Sequence, residues 1–501
     1  MPSVWSTPLK SLRTAAWHLR EGGVPQLRLW WSRQPPLFPR RRRTASSTTS
    51  ASQPGSSGSR RTWRGDDSDG ISNGYLAEHG FPLPDRALEP AFEPQPRHAL
   101  YLLHNALPRH SGGYATRTHG LLTELNSSGW DVHGVTRLGY PYDLSGMADV
   151  PDLPENELVG TVRYHHLLTG RQIEKKNPMF DYTERYVDAL LPLARAQRPA
   201  ILHGASNHWN GFAAVKTARR LGIASVYEVR GLWEVTRASR DPVWGAGDQY
   251  RYLARMEADA ARGADRVIAI TTALKAEMVD RGVDAEKITL VPNGVDTERF
   301  TPLPRDEELA KQLGVRSRTV IGYVGTMADY EGLGLLLDAV AQLRTQREDF
   351  LVLLVGDGAV AEDLRAQVER DGLADVVTFT GRVPHTDVER YYSLIDVTPF
   401  PRLPVPVTEI VSPLKPFEAM AMGKTVLASD VGALAEIVTP GLNGWLHAKG
   451  EVDSLVEQLT AILDDPAERA RIGAQAREWV VAERDWRPLA GKVAGIYEEL
   501  A

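Results

Sequence analysis

The 501-residue chain contains no cysteine, and no apolar run in it approaches the length of a membrane span. The first absence excludes disulfides, thiolate metal sites and cysteine nucleophiles, and it is compatible with a reducing cytoplasm. The second argues against a transmembrane helix, which needs about 20 consecutive apolar residues. Cations also interrupt the segment from Trp5 to Trp31. We therefore expect neither a signal peptide nor a membrane span there.

Composition places the chain among globular proteins. Hydrophobic residues make up 42% of the sequence and charged residues 24%, as in chains that bury a sizeable core. With 501 residues, the chain is too long for one ordinary core, and its length predicts about two to four domains.

The net charge of −6 conceals a basic N-terminal segment. Residues 1–65 contain twelve Lys or Arg residues and one acidic residue, Glu21, so this segment carries +11 and the rest of the chain −17. A basic tail on an acidic body argues against a uniformly basic nucleic-acid-binding protein. We expect no nucleic-acid partner.

Residues 1–96 are predicted to form a disordered basic tail. They show no sustained hydrophobic period, and they include a Ser/Thr/Gly tract at 45–59 and a proline-dotted stretch at 81–96. Tryptophans alternate with the cations of residues 1–65, a pattern that suits an anionic membrane surface. A solvated tail without a partner is the equally weighted alternative, because the helical amphipathicity is poor.

From residue 97 onward, short apolar runs alternate with helical stretches. The predicted strands lie at 98–103, 131–135, 201–204, 225–229, 266–270, 288–291, 319–324, 350–355, 376–380, 396–400 and 425–428. This alternation predicts an α/β protein with doubly wound parallel sheets, whose ligands bind beyond the carboxyl ends of the strands. We predict Rossmann-like domains at 97–298 and 299–484, facing across a cleft, with the polar stretch 301–318 as the linker between them and a terminal helix at 485–501.

The stretch from Ser412 to Ser429 carries the chemistry around which we organise the rest of the chain. Ser412 and Pro413 are expected to begin a short helix that ends at Gly423 and leads into a buried strand. Lys415 and Glu418 would share one face of its first turns, where the helix dipole attracts anions. A lysine suits a phosphate and a carboxylate suits sugar hydroxyls. The alternative is an ordinary surface ion pair between the two side chains.

Polar residues follow several predicted strands of the first domain. Ser111-Gly112-Gly113 comes between the first strand and a helix, as in phosphate-binding loops. The strand ends also carry His104 with Asn105, His203 with Asn207 and His208, and the segment Arg230–Glu234, as the sequence shows. A single histidine in such a place is more often structural than catalytic, but three clusters at successive strand ends favour a site.

Four motifs occur in register across the chain: Asn293-Gly294-Val295-Asp296, Gly356-Asp357-Gly358, the segment from Glu418 to Lys424, and Ala428-Ser429. So spaced, they resemble the retaining nucleotide-sugar glycosyltransferases of family four, which have the GT-B fold. The resemblance covers about residues 97–500. It is strongest to the branch with Ser-Pro-Leu-Lys before the glutamate, which is often found in surface-polysaccharide pathways.

The resemblance implies roles for several donor-binding residues. Glu418 matches the glutamate that holds the ribose hydroxyls, and Gly112 and Gly113 match the loop beside the diphosphate. Arg382 and Val383 match the segment whose backbone meets the nucleobase. The resemblance also makes Leu414 and Glu409 donor-binding candidates, although Glu409 lies one residue too early for the family's paired glutamates. The helix from about Trp486 resembles the one that crosses back onto the first domain.

The chain departs from this family at the phosphate-binding positions. Where many relatives carry an arginine and a lysine, it has Thr326 and Glu331. We therefore expect Lys415 and Arg402 to supply the charge that meets the diphosphate. His203 completes the catalytic candidates. The acceptor-side candidates are His208, Arg230 and Glu234.

These features predict a cytoplasmic, retaining glycosyltransferase that moves a sugar from a nucleoside diphosphate to a hydroxyl acceptor in surface-polysaccharide or glycoconjugate synthesis. The alternatives are a nucleotide-sugar epimerase on the same fold and a catalytically silent nucleotide-sugar-binding protein. We expect no cofactor and no metal site, because the dense acidic cluster at 66–69 lies in the predicted tail. A lipid-linked glycan as acceptor and peripheral attachment to the inner face of a membrane are left open.

Overall fold

We analysed a computed structural model, which describes residues 71–144, 152–169, 175–315 and 318–501. All of the described residues belong to one compact unit. The expected membrane-binding segment, residues 1–65, lies outside the described residues. Within the described ranges, no helix combines the length and the apolar character that crossing a bilayer requires.

Two sheets organise the described residues. The first contains eight strands in the order β3-β4-β2-β1-β5-β6-β7-β8, and the second contains six in the order β11-β10-β9-β12-β13-β14. The strands are β1 Gln95–Leu103, β2 Asp131–Thr136, β3 Asn156–Val159, β4 Val162–His166, β5 Pro199–Ala205, β6 Ala224–Val229, β7 Arg266–Ala269, β8 Ile288–Leu290, β9 Thr319–Val324, β10 Phe350–Val355, β11 Val377–Gly381, β12 Val397–Phe400, β13 Thr425–Ser429 and β14 Trp445–His447. Neighbouring strands are parallel except β3 and β4, which form an antiparallel edge. The predicted α/β class with doubly wound sheets is confirmed.

Helices connect the strands. They are α1 Asn73–His79, α2 Gly113–Ser127, α3 Met179–Gln197, α4 His208–Leu221, α5 Trp233–Arg240, α6 Pro242–Gly245, α7 Asp248–Gly263, α8 Thr272–Asp280, α9 Glu307–Gln312, α10 Leu333–Arg344, α11 Ala361–Arg370, α12 Val388–Leu394, α13 Pro406–Ile410, α14 Lys415–Ala421, α15 Gly432–Ala435, α16 Val452–Asp464, α17 Pro466–Glu483 and α18 Trp486–Leu500.

The last helix, α18, packs on the first sheet's side of the molecule. Trp486, Leu489 and Val493 are buried in the same apolar cluster as residues of β1 and α2. The approach is close: a Cβ atom at Gly120 of α2 would lie 2.4 Å from Trp486 Nε1. Because α17 ends in the second domain, α18 ties the two domains together.

Part of the expected tail is ordered. Residues 71–96 were assigned to it because they show no sustained hydrophobic period and because 81–96 is dotted with prolines, but Ser72 caps α1 by accepting a hydrogen bond from the amide of Tyr75. Leu76 is fully buried, and Phe81 stacks on Phe212 of α4 with ring centroids 3.8 Å apart. These apolar contacts, together with backbone hydrogen bonds from Ala87 and Ala91 to the end of α4, hold this segment against the first domain.

Two further local expectations were wrong. The stretch 301–318, expected to be a polar linker, contains α9, which Asp306 caps by accepting from the amide of Leu309. The strands β3, β4 and β14 were not predicted. β4 carries Arg163, His165 and His166, and β14 has three residues, so neither gives an apolar run of usual strand length.

Candidate active site

A cavity of about 930 Å³ lies between the two sheets, at the carboxyl ends of their strands. The strand order of each sheet reverses beside its first strand, β1 or β9, and the loops after these strands line the cavity. This is the position at which doubly wound sheets bind their ligands. The loops after β10, β11 and β12 contribute the rest of the second domain's wall.

Most of the predicted site residues meet in this cavity. Those that line it are Gly112, Gly113, Arg230, Arg382, Val383, Arg402, Leu414, Lys415 and Glu418. They come from both domains and from segments far apart in sequence, so the fold assembles them from separate loops. Their individual roles stay predictions.

The loop Gly112–Gly113 forms the first domain's side of the cavity. Gly112 caps the 15-residue helix α2 in extended conformation, without a side-chain hydrogen bond to the first turn. Helix amides in such a position are open to an acceptor, and the helix dipole favours an anion there. Leu414 of the second domain lies opposite, so that a Cβ atom at Gly113 would be 3.6 Å from Leu414 Cδ1.

The organising helix α14 begins later than the sequence predicts. It starts at Lys415, with Leu414 at the cap position and Pro416 in the first turn, rather than with Ser412 as its cap. Ser412 is engaged elsewhere: Asn293 Nδ2 donates to its carbonyl at 2.8 Å and to its hydroxyl at 3.1 Å. The expected strand after the helix is confirmed as β13.

Glu418 lines the cavity from the first turn of α14. The hydroxyl of Tyr392 donates to its Oε2 at 3.4 Å. Burial raises the pKa of Glu418, and Lys415 and Arg299 offset this only in part. A carboxylate that has lost much of its hydration gains free energy when hydroxyl groups donate to it.

Lys415 does not pair with Glu418, as the surface-pair alternative supposed. Its Nζ lies 3.0 Å from Glu331 Oε1, and Arg402 Nη2 lies 3.5 Å from the same oxygen. Glu331 and Arg402 are 3% and 4% exposed. Two cations therefore share one buried carboxylate at the cavity wall. Although burial opposes it, Lys415 and Arg402 hold the pKa of Glu331 below its ordinary value.

Arg230 lines the cavity, but each nitrogen of its guanidinium donates a hydrogen bond to another group of the protein. Its Nε donates to Glu228 Oε2 at 2.7 Å, and its Nη1 donates to Thr118 Oγ1 at 2.7 Å and to the carbonyl of Tyr114 at 2.9 Å. The Tyr101 hydroxyl accepts from Nη2 at 2.8 Å. Arg230 thus fixes the start of α2, and this arrangement does not favour the acceptor-binding role expected for it.

Four predicted residues lie away from the cavity. His203 is fully buried, because β5 continues to Ala205 and its Nδ1 lies 2.7 Å from the hydroxyl of Tyr497 on α18. His208 Nδ1 is 2.8 Å from Glu257 Oε1, and Glu234 is paired with Arg281 at 2.6 Å. Direct contact of these three with a substrate in the cavity is therefore not supported.

Glu409, the fourth, was assigned to the donor. It lies on α13, where Lys449 Nζ donates to its Oε1 at 2.7 Å and the amide of Gly432 donates to its Oε2 at 2.7 Å. Its Oε2 thus holds α13 against the start of α15, and its Oε1 is engaged by Lys449, outside the cavity.

The sequence reasoning missed the residues that connect the two walls. Arg117 donates to Glu228, to the carbonyl of Val291 and to Asn293 Oδ1, and Asn293 in turn holds Ser412. Arg117 follows the glycine loop on α2, but its carboxylate partner lies 111 residues away. In the sequence, the motif that begins at Asn293 was the one signal that this region takes part in the link between Arg117 and Ser412.

A metal site was not expected. Among the described residues, His98, Asp131 and His133 bring ligand atoms within 4.8 Å of one another. They lie on β1 and β2, outside the cavity, and His98 Nδ1 is 2.6 Å from the carbonyl of Asp131. The expectation that the reaction uses no metal and no cofactor stays a prediction.

Each half of the chain is similar to a known protein family. The family described as "Glycosyl transferases group 1" matches residues 305–479, and the "Glycosyl transferase 4-like domain" matches residues 112–294. The class that fold and site define is therefore a two-domain protein with the GT-B fold. More particularly, its first domain is similar to the glycosyltransferase 4-like domains and its second to the glycosyl transferases of group 1.

Individual relatives agree with this assignment. The chain is 32% identical over 196 residues to 2-deoxystreptamine glucosyltransferase of Streptomyces kanamyceticus, which covers 39% of the chain and 49% of that protein. The chain thus spans about half the length of this curated relative. Sucrose-phosphate synthase of Thermosynechococcus elongatus has a similar structure, with a TM-score of 0.66 at 23% identity over 80% of the chain and 98% of that chain.

A third comparison involves a structure with a bound nucleotide sugar. The Anabaena protein Alr3699/HepE in complex with UDP-glucose has a TM-score of 0.62 at 19% identity, over 80% of the chain and 100% of that chain. At such identities the two solved structures establish the fold.

Proposed function

We propose that the chain is a retaining glycosyltransferase, which transfers a sugar from a nucleoside diphosphate donor to a hydroxyl acceptor. The observation that carries the proposal is the cavity in which Glu418, Lys415 and Arg402 of the second domain face the Gly112–Gly113 loop of the first. Carboxylate, paired cations and open helix amides are the groups that a nucleoside diphosphate requires. The relatives named as glucosyltransferase and as a complex with UDP-glucose support a nucleotide-sugar donor.

Each part of the donor has a partner in this scheme. Glu418 accepts hydrogen bonds from the ribose hydroxyls, and the segment Arg382–Val383 contacts the nucleobase. Lys415 and Arg402 neutralise the diphosphate, with the amino-terminal amides of α2 on its other side. The sugar then lies between the two domains, in reach of an acceptor that enters from the first domain.

The reaction follows from this placement. The bond between the anomeric carbon and the diphosphate oxygen breaks, and positive charge develops on the sugar ring. The departing diphosphate takes the proton of the acceptor hydroxyl, whose oxygen bonds to the anomeric carbon on the same face, so the configuration is retained. Lys415 and Arg402 stabilise the negative charge that grows on the leaving group, which is usually a large catalytic contribution.

We place this activity in the cytoplasm, in the synthesis of a surface polysaccharide or another glycoconjugate. The acceptor hydroxyl would then belong to a growing glycan, which is commonly carried on a lipid. A basic tail beside such an acceptor would bring the enzyme to an anionic membrane surface.

The first experiment identifies the donor and tests Glu418. UDP-, GDP- and ADP-sugars are screened by thermal shift, because a ligand at 100 times its dissociation constant stabilises the fold by about 2.7 kcal/mol. With the donor found, Glu418→Ala should weaken its binding sharply, since two hydrogen bonds to a charged group are lost, each worth about 1.5–3 kcal/mol. Calorimetry measures this, and Glu409→Ala, outside the cavity, is the matched control. Unchanged affinity in folded Glu418→Ala contradicts the assignment.

Product analysis separates transfer from the other activities of such a fold. With donor alone, an epimerase converts the sugar nucleotide, whereas a transferase needs the acceptor for turnover. A binding protein without activity gives neither product. Transfer with an inverted anomeric configuration would leave the donor site intact and contradict retention.

Residues 1–65 are tested separately. If they bind anionic membranes, their deletion should abolish sedimentation with phosphatidylserine vesicles while leaving turnover of a soluble acceptor unchanged. The binding of the full chain should also weaken as salt is added. Equal sedimentation of the full-length and shortened proteins would favour a solvated tail.

A further inference from the structure

Glu331 is a buried carboxylate within the cavity rather than beside it. Its Oε1 lies 3.0 Å from Lys415 Nζ and 3.5 Å from Arg402 Nη2, and the residue lines the cavity together with both cations. The two cations assigned above to the diphosphate therefore face a carboxylate of the protein itself.

The cluster is not a saturated structural ion pair. Glu331 Oε2 and Arg402 Nε are buried and have no hydrogen-bond partner among the described residues. Most buried polar atoms in folded proteins are paired, so two such atoms in one cluster are unusual. Their position at a cavity wall indicates that the cluster is arranged for a ligand rather than for stability.

Lys415 is held in place by contacts other than Glu331. Its side chain lies across Gly325, where a Cβ atom would come within 2.3 Å of Lys415 Cε, and Gly325 has a φ of +143°. Its ammonium also lies 5.4 Å from the centre of the Tyr323 ring. The stem of Lys415 would therefore stay in place without the carboxylate, and only its end is free to turn.

Arg402 is anchored in the same independent way. Its Nη1 donates to the carbonyl of Val411 at 2.8 Å, and its guanidinium lies 5.4 Å from the centre of the Tyr330 ring. Removing the charge of Glu331 should thus leave both cations in the cavity and raise the positive charge of the cluster from +1 to +2. Glu331 is not needed to position them.

We propose that Glu331 is an internal counter-anion, which competes with the diphosphate for Lys415 and Arg402 and thereby favours release of the nucleoside diphosphate product. The inference rests on the proposed function, because it takes these two cations as the diphosphate site. The donor's diphosphate carries about two negative charges, whereas the free product carries about three near neutral pH, since the terminal phosphate then loses its second proton. Glu331 therefore repels the product more strongly than the donor.

The test measures binding of inorganic pyrophosphate, whose charge resembles that of the product, by calorimetry near pH 7.5. Glu331→Gln keeps the size of the side chain and should bind pyrophosphate about tenfold more tightly or better, because one repulsive charge next to the anion is gone. Lys415→Ala should bind more weakly than the wild type. The double variant should lose most of the gain, because Glu331 acts through this cation.

The outcomes separate the two proposals. Unchanged or weaker pyrophosphate binding by Glu331→Gln overturns the inference, since it would mean that the carboxylate orients the cations or only stabilises the fold. Unchanged binding by both Lys415→Ala and Arg402→Ala would instead refute the proposed diphosphate site. Glu409→Gln, which removes a carboxylate paired with a lysine outside the cavity, is the matched control and should leave pyrophosphate affinity unchanged.

A kinetic measurement with the identified donor gives a second readout. In Glu331→Gln, inhibition by the nucleoside diphosphate product should strengthen by a larger factor than the KM for the donor falls. Equal changes in both quantities would show that the carboxylate does not discriminate product from donor, and would contradict its role in release.

Discussion

Each domain contains a buried carboxylate between two cations, but the two clusters are built differently. In the first domain, Glu228 is fully buried. Its Oε1 accepts from Arg117 Nε at 2.9 Å and Nη2 at 2.6 Å, and its Oε2 accepts from Arg230 Nε at 2.7 Å and from the hydroxyl of Tyr101. Although burial opposes it, Arg117 and Arg230 hold the pKa of Glu228 far below its ordinary value. Every oxygen has partners, as a purely structural network requires.

The Glu331 cluster of the second domain lacks this saturation. One carboxylate oxygen has two cationic neighbours at 3.0 Å and 3.5 Å, and the other has no hydrogen-bond partner among the described residues. Both clusters reach the same cavity, so location alone does not distinguish them. The difference in hydrogen bonding does: the Glu228 cluster holds α2 and its glycine loop in place, whereas the Glu331 cluster keeps bonding capacity for a ligand.

The largest expected effect is on stability in the Glu228 cluster. Glu228→Gln should lower the free energy of unfolding by about 3–5 kcal/mol, because it leaves two buried arginines without their counter-charge. Glu331→Gln should cost less than Glu228→Gln, since the Lys415 side chain is 19% exposed at the cavity and Glu331 Oε2 has no hydrogen-bond partner to lose among the described residues. Urea unfolding followed by circular dichroism measures both variants. Equal losses at the two positions would contradict the distinction between the clusters.

The fold was predictable where strands are buried on both faces. The expected bounds of β9 and β10 coincide with Thr319–Val324 and Phe350–Val355, because a buried parallel strand is an uninterrupted apolar run. The strands β3 and β4 gave no such signal, because charged residues and histidines interrupt their apolar positions. Val162 and Tyr164 of β4 are nevertheless fully buried in the core of the first domain.

The sequence predicted which loops form the site, but not how their side chains contact one another. The rule that ligands bind at the carboxyl ends of strands brought Arg402, Lys415 and the glycine loop to the cavity. The same rule failed for His203, because it depends on which way a side chain points near the end of a strand. The sequence did not reveal which side chains pair with one another. Glu331 stands where many relatives carry a cation, but its partner Lys415 is 84 residues away in the chain.

The next effect is on catalysis in the Glu331 cluster. Lys415→Ala and Arg402→Ala should each lower turnover by about 10²–10³, as the loss of one preorganised donor to a developing charge typically does. Lys415→Arg should restore turnover only in part, because a guanidinium does not fit where a compact ammonium lies across Gly325. Steady-state rates with the identified donor and acceptor provide the measurement.

A lysine outside the cavity serves as the control for these rates. Lys449 pairs with Glu409 at 2.7 Å, so Lys449→Ala removes a paired lysine without touching the proposed diphosphate site and should leave turnover unchanged. Near-normal turnover of both cavity variants would make the Glu331 cluster structural, like that of Glu228. The diphosphate would then have to be met by other groups, such as Arg382.

The smallest expected effect concerns pH and the Glu228 cluster alone. Burial lowers the pKa of His203 from 6.5 to about 3, with Glu228 partly opposing the shift. The folded state therefore keeps this imidazole neutral, whereas the unfolded chain binds a proton below about 6.5, so the stability due to His203 is present above that pH and is lost as the pH falls toward 3. At pH 5.5 the loss is about 1.4 kcal/mol.

His203→Asn, which replaces the ring by a neutral amide, should remove this part of the pH dependence, as urea unfolding at pH 7.5 and 5.5 can measure. Glu228 itself stays ionised over this interval in both states, and so does not mask the difference. If wild type and variant lose the same stability between the two pH values, the folded protein does not hold His203 neutral. The surroundings of Glu228 would then accept a proton in this pH range, contrary to the prediction.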